Sequence, residues 1–382
     1  MNNNSIIKFS KLIPEENGGI INITDDNIRA AVKLWCNDRK VAKSIYGPIS
    51  EWDTSAVTDM SKLFKNQYFK GDISLWNVSN VTNMQEMFRN ARVFNQPLEQ
   101  WNVGNVTNMG SMFCDASRFN QPLVQWNVGN VTNMRKMFHS ASAFNQPLDQ
   151  WNVGNVTYMG CMFCDASRFN QPLEQWNVGN VTNMRAMFHE AYDFNQPLEQ
   201  WNVGNVTDMW SMFYDASAFN QPLGQWNVGN VTTMGRMFWQ ADAFNQDISN
   251  WDVSNGPNMD SMFNLEYNPD FKPSVERSIN RQNFDMVVRG TQNARIKEVR
   301  ETQKEREQIG QEPLEAEDID INLELTPQQQ FFLNQYGPRT NIRGFFGGKK
   351  GRTTRKKGRK TKSKTKKQSK KRKTKKNKKT KK

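Results

Sequence analysis

The residues of this chain with the greatest chemical capacity recur at a fixed interval of 25: Cys114, His139, Cys164, His189, Tyr214 and Trp239. Cys161 stands three positions before Cys164 in a C-x-x-C. If successive units stack at the ~4.8 Å spacing of neighbouring strands, members of this column lie about 5 Å apart. Zinc accepts mixed sulfur and imidazole ligands, so His139, Cys161, Cys164 and His189 are the residues that would converge on one ion. The alternation of Cys and His has a plainer origin in duplication of a pair of units. GSMFCDASRFNQPL at 110–123 recurs as GCMFCDASRFNQPL at 160–173, and FHSA recurs as FHEA. Cys161 replaces a serine or lysine of sibling units, Ser111 or Lys136. On these grounds neither a metal nor any other cofactor is expected.

Catalytic chemistry is equally hard to build. His139 and His189 are the only histidines and occupy equivalent positions, so a Ser-His-Asp or Cys-His arrangement needs partners that the repeat does not supply. Neither a phosphate-binding Walker loop nor an HExxH zinc motif occurs. No catalytic residue is assigned, and the chain is read as not an enzyme. The triplets Asn-Val-Thr beginning at Asn80, Asn105, Asn130, Asn155, Asn180, Asn205 and Asn230 have the form of glycosylation acceptors. They are more simply a turn asparagine followed by a helix-capping threonine, with the stacked Asn side chains bonding unit to unit.

What positions these residues is the repeat itself. FNQ opens units at Phe94, Phe119, Phe144, Phe169, Phe194, Phe219 and Phe244, and a tryptophan ladder runs from Trp52 through Trp76, Trp101, Trp126, Trp151, Trp176, Trp201 and Trp226 to Trp251. About nine coils of 24–25 residues follow from that ladder. Leu98, Trp101 and Val103 give the spacing of a short strand, Gly104-Asn105 a turn, and Met109, Met112, Phe113 and Ala116 fall at i, i+3, i+4 and i+7 behind Thr107 as N-cap. The expected fold is therefore an α/β solenoid, each coil a strand, a turn and a helical segment, stable only when stacked. A full helix needs about 10 Å of lateral room against ~4.8 Å per strand, so mild curvature together with thinner 3₁₀ turns is expected. Thr24 caps an N-terminal helix through Ile28, Ala31, Val32 and Trp35, and Gly47-Pro48 ends the approach to the first coil. The expected organisation is an N-terminal cap over 1–48, the stack over 49–265, a partly helical linker over 266–348 and a disordered tail over 349–382. Within 266–348, Asn268 to Pro273 breaks the pattern, Ala294 to Ile309 reads as a solvent-exposed helix or linker, and Thr326-Pro327 opens a short helix carrying Phe331 and Phe332.

The unit WNVxNVTxMxxMFxxAxxFNQ is similar to the BspA-type leucine-rich-repeat proteins, in particular the branch first catalogued as a mycoplasma domain of unknown function. The opening ITDDNIRAAVKLWCNDRKVAKSIYGPISEWDTSAVTDMSKLF resembles that family's usual lead-in, and the likeness covers about residues 20 to 265. It implies a leucine-rich-repeat-like solenoid, a broad role in surface adhesion or protein recognition, and no catalytic residues. Members occur in bacteria, protists and large DNA viruses, and the lysine-rich end of this chain is similar to that of viral members.

Two further features bear on function. Variation among the coils is concentrated at positions equivalent to 110, 111, 114, 115, 117 and 118, off the Met-Phe stripe, so the helix side is the expected protein-binding face. Late in the array that face gains Tyr192, Trp210, Tyr214 and Trp239, of the residue types enriched at interface hot spots; the alternative is that they fold back onto the stack. The net charge of +13 divides unevenly: residues 349–382 hold 22 of the 51 basic residues and no acidic one, leaving 29 basic against 38 acidic residues before them. Lys349, Lys350, Arg352, Arg355, Lys356, Lys357, Arg359, Lys360, Lys370, Lys371, Arg372 and Lys373 are among the tail residues expected to meet nucleic acid or another polyanion. Nuclear import, contact with acidic lipids and simple solubilisation are the other uses of such a tail. These features together suggest a non-enzymatic repeat protein with a protein-interaction face and a polyanion-binding tail; a structural component of a virion or surface, or a metal-binding module, are the alternatives. No signal-peptide core and no apolar run of membrane-spanning length is visible, so an intracellular or virion location is expected over export.

Overall fold

The computed structural model describes residues 21–263 and a set of helical positions between Met286 and Gln308. Every described residue lies in one compact unit of the chain. The expected break at Asn268 to Pro273, the helix carrying Phe331 and Phe332, and the tail over 349–382 all lie outside the described residues.

Two helices open the described chain. In α1 (Ile28–Asn37), the i, i+3, i+4, i+7 series Ile28, Ala31, Val32 and Trp35 is buried as its spacing requires. The N-cap is Asn27 rather than Thr24: the Asn27 side chain accepts from the Thr24 amide at 3.0 Å, and Thr24 contributes only its carbonyl, to the Ile28 amide at 3.0 Å. Asp38 begins α2 (Arg39–Tyr46) by accepting from the Val41 amide at 3.1 Å, and Gly47, with φ of 72°, ends it. A 3₁₀ turn over Ile49–Glu51 then leads into Trp52, whose ring meets the edges of Trp35 and Tyr46 at 5.9 and 5.8 Å. The Asp25 carboxylate accepts from the amides of Thr58 and Asp59 and from the Thr58 hydroxyl, and Arg29 pairs with Asp59 at 3.2 Å. The segment leading into α1, through Asp25, therefore satisfies backbone donors of the first coil that no earlier coil can reach.

From Asp59 to Asn258, parallel bridges at Asn83, Asn108, Asn133, Tyr158, Asn183, Asp208 and Thr233 join each coil to the next. These are isolated bridges, and among the described residues no longer strand and no α-helix occurs within the coils. The expected α/β coil is thus corrected. Leu98 to Val103 contains a turn closed by Trp101 N–H to Leu98 O at 3.1 Å. Met109, Met112, Phe113 and Ala116 are buried, but they lie on a run of turns in which Ser111 and Asp115 adopt φ of 57° and 60°. Alternate amides in that run serve different partners. Ser111, Phe113 and Asp115 donate to Arg135, Met137 and His139 of the following coil at 2.7–2.9 Å, while Met112, Cys114 and Ala116 close turns three residues back. An α-helix keeps all its amide bonds internal and requires about 10 Å of width. Here the Phe113 and Phe138 rings of successive coils stack at 5.7 Å, which leaves room for a turn and none for a helix.

The invariant side chains follow from that stacking. Neighbouring ladder tryptophans stack in parallel, as Trp126 on Trp151 at 6.4 Å and 1°, and from Trp76 onward each indole donates to a backbone carbonyl 27–28 residues earlier, as Trp151 Nε1 to Leu123 O at 3.0 Å. Phe138 stacks within its coil on Phe144 at 4.0 Å and between coils on Phe163 at 5.7 Å, all of them fully buried. Asn145 Oδ1 accepts both the Asn170 amide at 3.0 Å and Gln171 Nε2 at 2.9 Å, which accounts for the FNQ string. The sequon asparagines bond coil to coil, Asn155 Nδ2 reaching Gly129 O at 2.7 Å, whereas Thr157 hydrogen-bonds the Thr132 carbonyl and caps no helix.

The far end of the stack is covered too. Met286 is fully buried, and Gly290 lies so close to Met259 that an added Cβ would sit 2.2 Å from its Sδ. Asn293 Nδ2 donates to Val253 O at 3.1 Å. Beyond Ala294 the described helical positions, Lys297, Glu298, Arg300 and Glu301 among them, are exposed.

Candidate interaction ridge

The turns with positive φ set up a ridge along the stack. Asp115 N–H donates to His139 O, Ser140 N–H to Cys164 O, Asp165 N–H to His189 O and Glu190 N–H to Tyr214 O, at 2.7–2.8 Å. Each bond places a residue of the column Cys114, His139, Cys164, His189, Tyr214 against its predecessor, and sets beside it a second column, Asp115, Ser140, Asp165, Glu190, Asp215. The Asp115, Ser140, Asp165, Glu190 and Asp215 backbones all lie at φ between 52° and 60°. This is the region that Asn, Asp and Gly tolerate best. The ridge is therefore built of turns, and the expectation of a helical binding face is corrected.

Within the ridge, three groups of donor atoms each lie within 4.8 Å of one another: Cys114, Asp115 and His139; His139, Cys164 and Asp165; and Asp165, His189 and Glu190. His139 Nδ1 is 3.1 Å from Cys164 O and 3.5 Å from Asp165 Oδ2. Cys161 belongs to none of these groups, so of the four residues singled out by ligand type the structure brings His139 to Cys164 and sets His189 one coil further on. All four cysteines are free thiols. The Cys161–Cys164 hydrogen bond, followed by burial and the Asp165 charge, pushes the Cys164 thiol up, and the same bond lowers Cys161. Burial, then the Asp115 hydrogen bond and charge, push Cys114 up to about 12.

The four aromatic candidates differ in exposure. Tyr192 is 40% exposed and donates to Glu190 at 3.2 Å. Trp210, Tyr214 and Trp239 are half-buried. Tyr214 stacks on His189 at 4.5 Å and 5°. Trp210 lies over Gly235, where a Cβ would come within 2.4 Å of its ring, and is flanked by the guanidinium carbons of Arg185 and Arg236 at 5.5 and 6.0 Å. Those two arginines were not singled out in the sequence; the coil-to-coil register that brings both to one indole becomes visible only when the coils are stacked.

Four overlapping stretches, residues 37–131, 98–182, 119–212 and 173–274, match the family model described as Mycoplasma protein of unknown function, DUF285. The chain belongs to this family. No curated protein and no solved structure matches. The four stretches cover the tandem array in overlapping windows, which agrees with a repeat protein of the BspA type at the level of the repeat. Within this DUF285 chain the residues common to the coils are those committed to stacking, while the ridge carries the side chains that differ. Among the described residues no helix is long and apolar enough to cross a membrane.

Proposed function

We propose that this DUF285 chain is a non-enzymatic scaffold, a solenoid of the leucine-rich-repeat kind, whose turn ridge binds a protein partner and whose basic tail engages nucleic acid or another polyanion. The observation that supports the ridge is the concentration of differing side chains there, with Tyr192 exposed and Trp210 set between Arg185 and Arg236. Aromatic and arginine side chains are the types that carry most interface energy. The tail reading rests on charge alone: 22 basic residues in a stretch without an anion displace counterions from any polyanion. Such a segment has no fixed donor pattern for base edges, so duplex DNA and unrelated RNA bind alike at equal salt.

Affinity capture with and without nuclease tests both halves. Deletion after Gly348 removes nucleic acid from the captured material and leaves the protein partner, whereas Tyr192→Ala combined with Trp210→Ala does the reverse. If about eight phosphates are engaged, log affinity for duplex DNA falls with log salt at a slope near about −7. A truncated chain that kept full nucleic-acid affinity would transfer that role to the coils.

A further inference from the structure

We propose that His139, Cys164 and Asp165 form a binding site for one zinc ion on the ridge. This reverses the expectation drawn from residue types alone, and the reason is a ligand that the column did not contain. Asp165 is adjacent to Cys164 and, at φ of 57°, its carboxylate meets His139 of the preceding coil. Asp165 Oδ2 is 3.5 Å from His139 Nδ1 and 3.8 Å from Cys164 Sγ, and all three donor atoms lie within 4.8 Å of one another. Tetrahedral zinc with bonds of about 2.0–2.3 Å sets its ligand atoms roughly 3.3–3.7 Å apart. The donors are therefore close to the spacing that one ion requires, before any ion is present.

The donor set selects the metal. One thiolate, one imidazole and one carboxylate suit zinc and disfavour magnesium and calcium, which take oxygen ligands. Ser140 Oγ lies 3.2 Å from Asp165 Oδ2 and orients that carboxylate, the role that supporting hydrogen bonds play around metal ligands. The ring is held with Nδ1 at 3.1 Å from the Cys164 carbonyl, so ligation by Nδ1 exchanges that contact for the ion and leaves the proton on Nε2. Binding converts the Cys164 thiol to a zinc thiolate and releases one proton to solvent.

His189 stands outside the proposed ligand set. On the other side of Asp165, His189 Nδ1 is buried without a hydrogen-bond partner, with Glu190 Oε1 at 3.6 Å. Donor atoms thus face Asp165 from both neighbouring coils. The group Cys114, Asp115 and His139 has similar atoms, but its carboxylate is not flanked by two histidines: the coil before it carries Arg89 where the proposed site has His139. None of the proposed ligands belongs to the stacked Phe and Trp core, so the fold does not depend on the ion.

The test uses the full chain, reduced and stripped of metal, then loaded with Zn²⁺ or Co²⁺ and passed through gel filtration. The expected result is one equivalent of Zn²⁺ by elemental analysis, with about one proton released per ion bound. Co²⁺ loading gives a thiolate-to-cobalt charge-transfer band. Cys164→Ser removes that band, and Cys164→Ser and Asp165→Asn each lower retained zinc at least tenfold, while Cys114→Ser, Cys161→Ser and His189→Gln retain it. Thermal melts in chelator, unchanged in all five variants, show that loss of metal is not loss of fold. Absence of stoichiometric zinc in the parent chain overturns the proposal, as does zinc lost on changing Cys114, Cys161 or His189 and kept on changing Cys164.

Discussion

Around Trp151 the polar atoms serve the neighbouring coil's backbone: Trp151 Nε1 takes Leu123 O, Asn155 Nδ2 takes Gly129 O and the Thr157 hydroxyl reaches Thr132 O. On the ridge of the same coils, side chains face one another instead, as Ser140 with Asp165, Tyr192 with Glu190 and His189 with Tyr214. The difference has a physical consequence. A side chain bonded to backbone is fixed by the repeat, because every coil presents the same carbonyl at the same place. A side chain that meets only other side chains is free to change, provided its turn conformation is kept. Stability should therefore reside in the first region and specificity in the second.

The largest effect expected from this division is on Trp151. Trp151→Ala empties a buried site beside the parallel Trp126 indole and the Phe138 ring and removes a buried hydrogen bond, and should cost about 3–5 kcal/mol by denaturant unfolding. Tyr192→Ala on the ridge should change stability by no more than about 0.5 kcal/mol. Equal losses would erase the distinction. Asn145 should come next: Asn145→Ala strips the acceptor of both the Asn170 amide and Gln171 Nε2 and should cost about 1–3 kcal/mol. Asn145→Asp keeps that acceptor and should recover most of the loss.

The buried ladder was legible in the sequence because large apolar residues recurring every 24–25 residues over nine coils have no other use, and the sequon asparagines were legible as links between coils. The local conformation was not. The spacing of Met109, Met112, Phe113 and Ala116 suits a helix, but two successive turns give the same spacing. The positive φ that distinguishes them is invisible when the residue is Lys62, Glu86, Ala186 or Arg236 rather than glycine. Asp165 was missed as a partner of His139 for the same reason, since only the turn, and not the numbering, brings a residue of one coil against its neighbour in the other column.

Ala186 measures that turn directly. Its φ is 53°, a region costly for a residue with a Cβ and free for glycine. Ala186→Gly should stabilise the chain by roughly 0.5–1 kcal/mol, whereas the same change inside a helix destabilises by about 1 kcal/mol. The sign of the change in unfolding midpoint separates the two structures of the coil without reference to any partner.

The smallest effect compares a carboxylate that serves backbone with one that faces side chains. Burial opposes the Asp25 charge, but the Thr58 hydroxyl and amide, the Asp59 amide and Arg29 together hold its carboxyl below the ordinary value of about 3.9. Asp215 on the ridge is raised, first by burial and then by the charge of Asp242, with His189 opposing. Linkage gives the two opposite signs. The folded chain binds the Asp25 proton less tightly than the unfolded chain, so Asp25 contributes stability above the unfolded pKa and loses it as pH falls through the folded one. Asp215 binds its proton more tightly when folded; its contribution is complete below the unfolded pKa and declines as pH rises through the folded value. Asp25→Asn should therefore be less stable than the parent chain at about pH 7 and converge with it on acidification. Asp215→Asn should show the reverse, an advantage near pH 7 that shrinks below about pH 4, on top of any pH-independent offset from placing asparagine at positive φ. Thermal melts of both variants against pH read these slopes, and slopes of the same sign would mean that the ridge carboxylates are held as firmly as those of the cap.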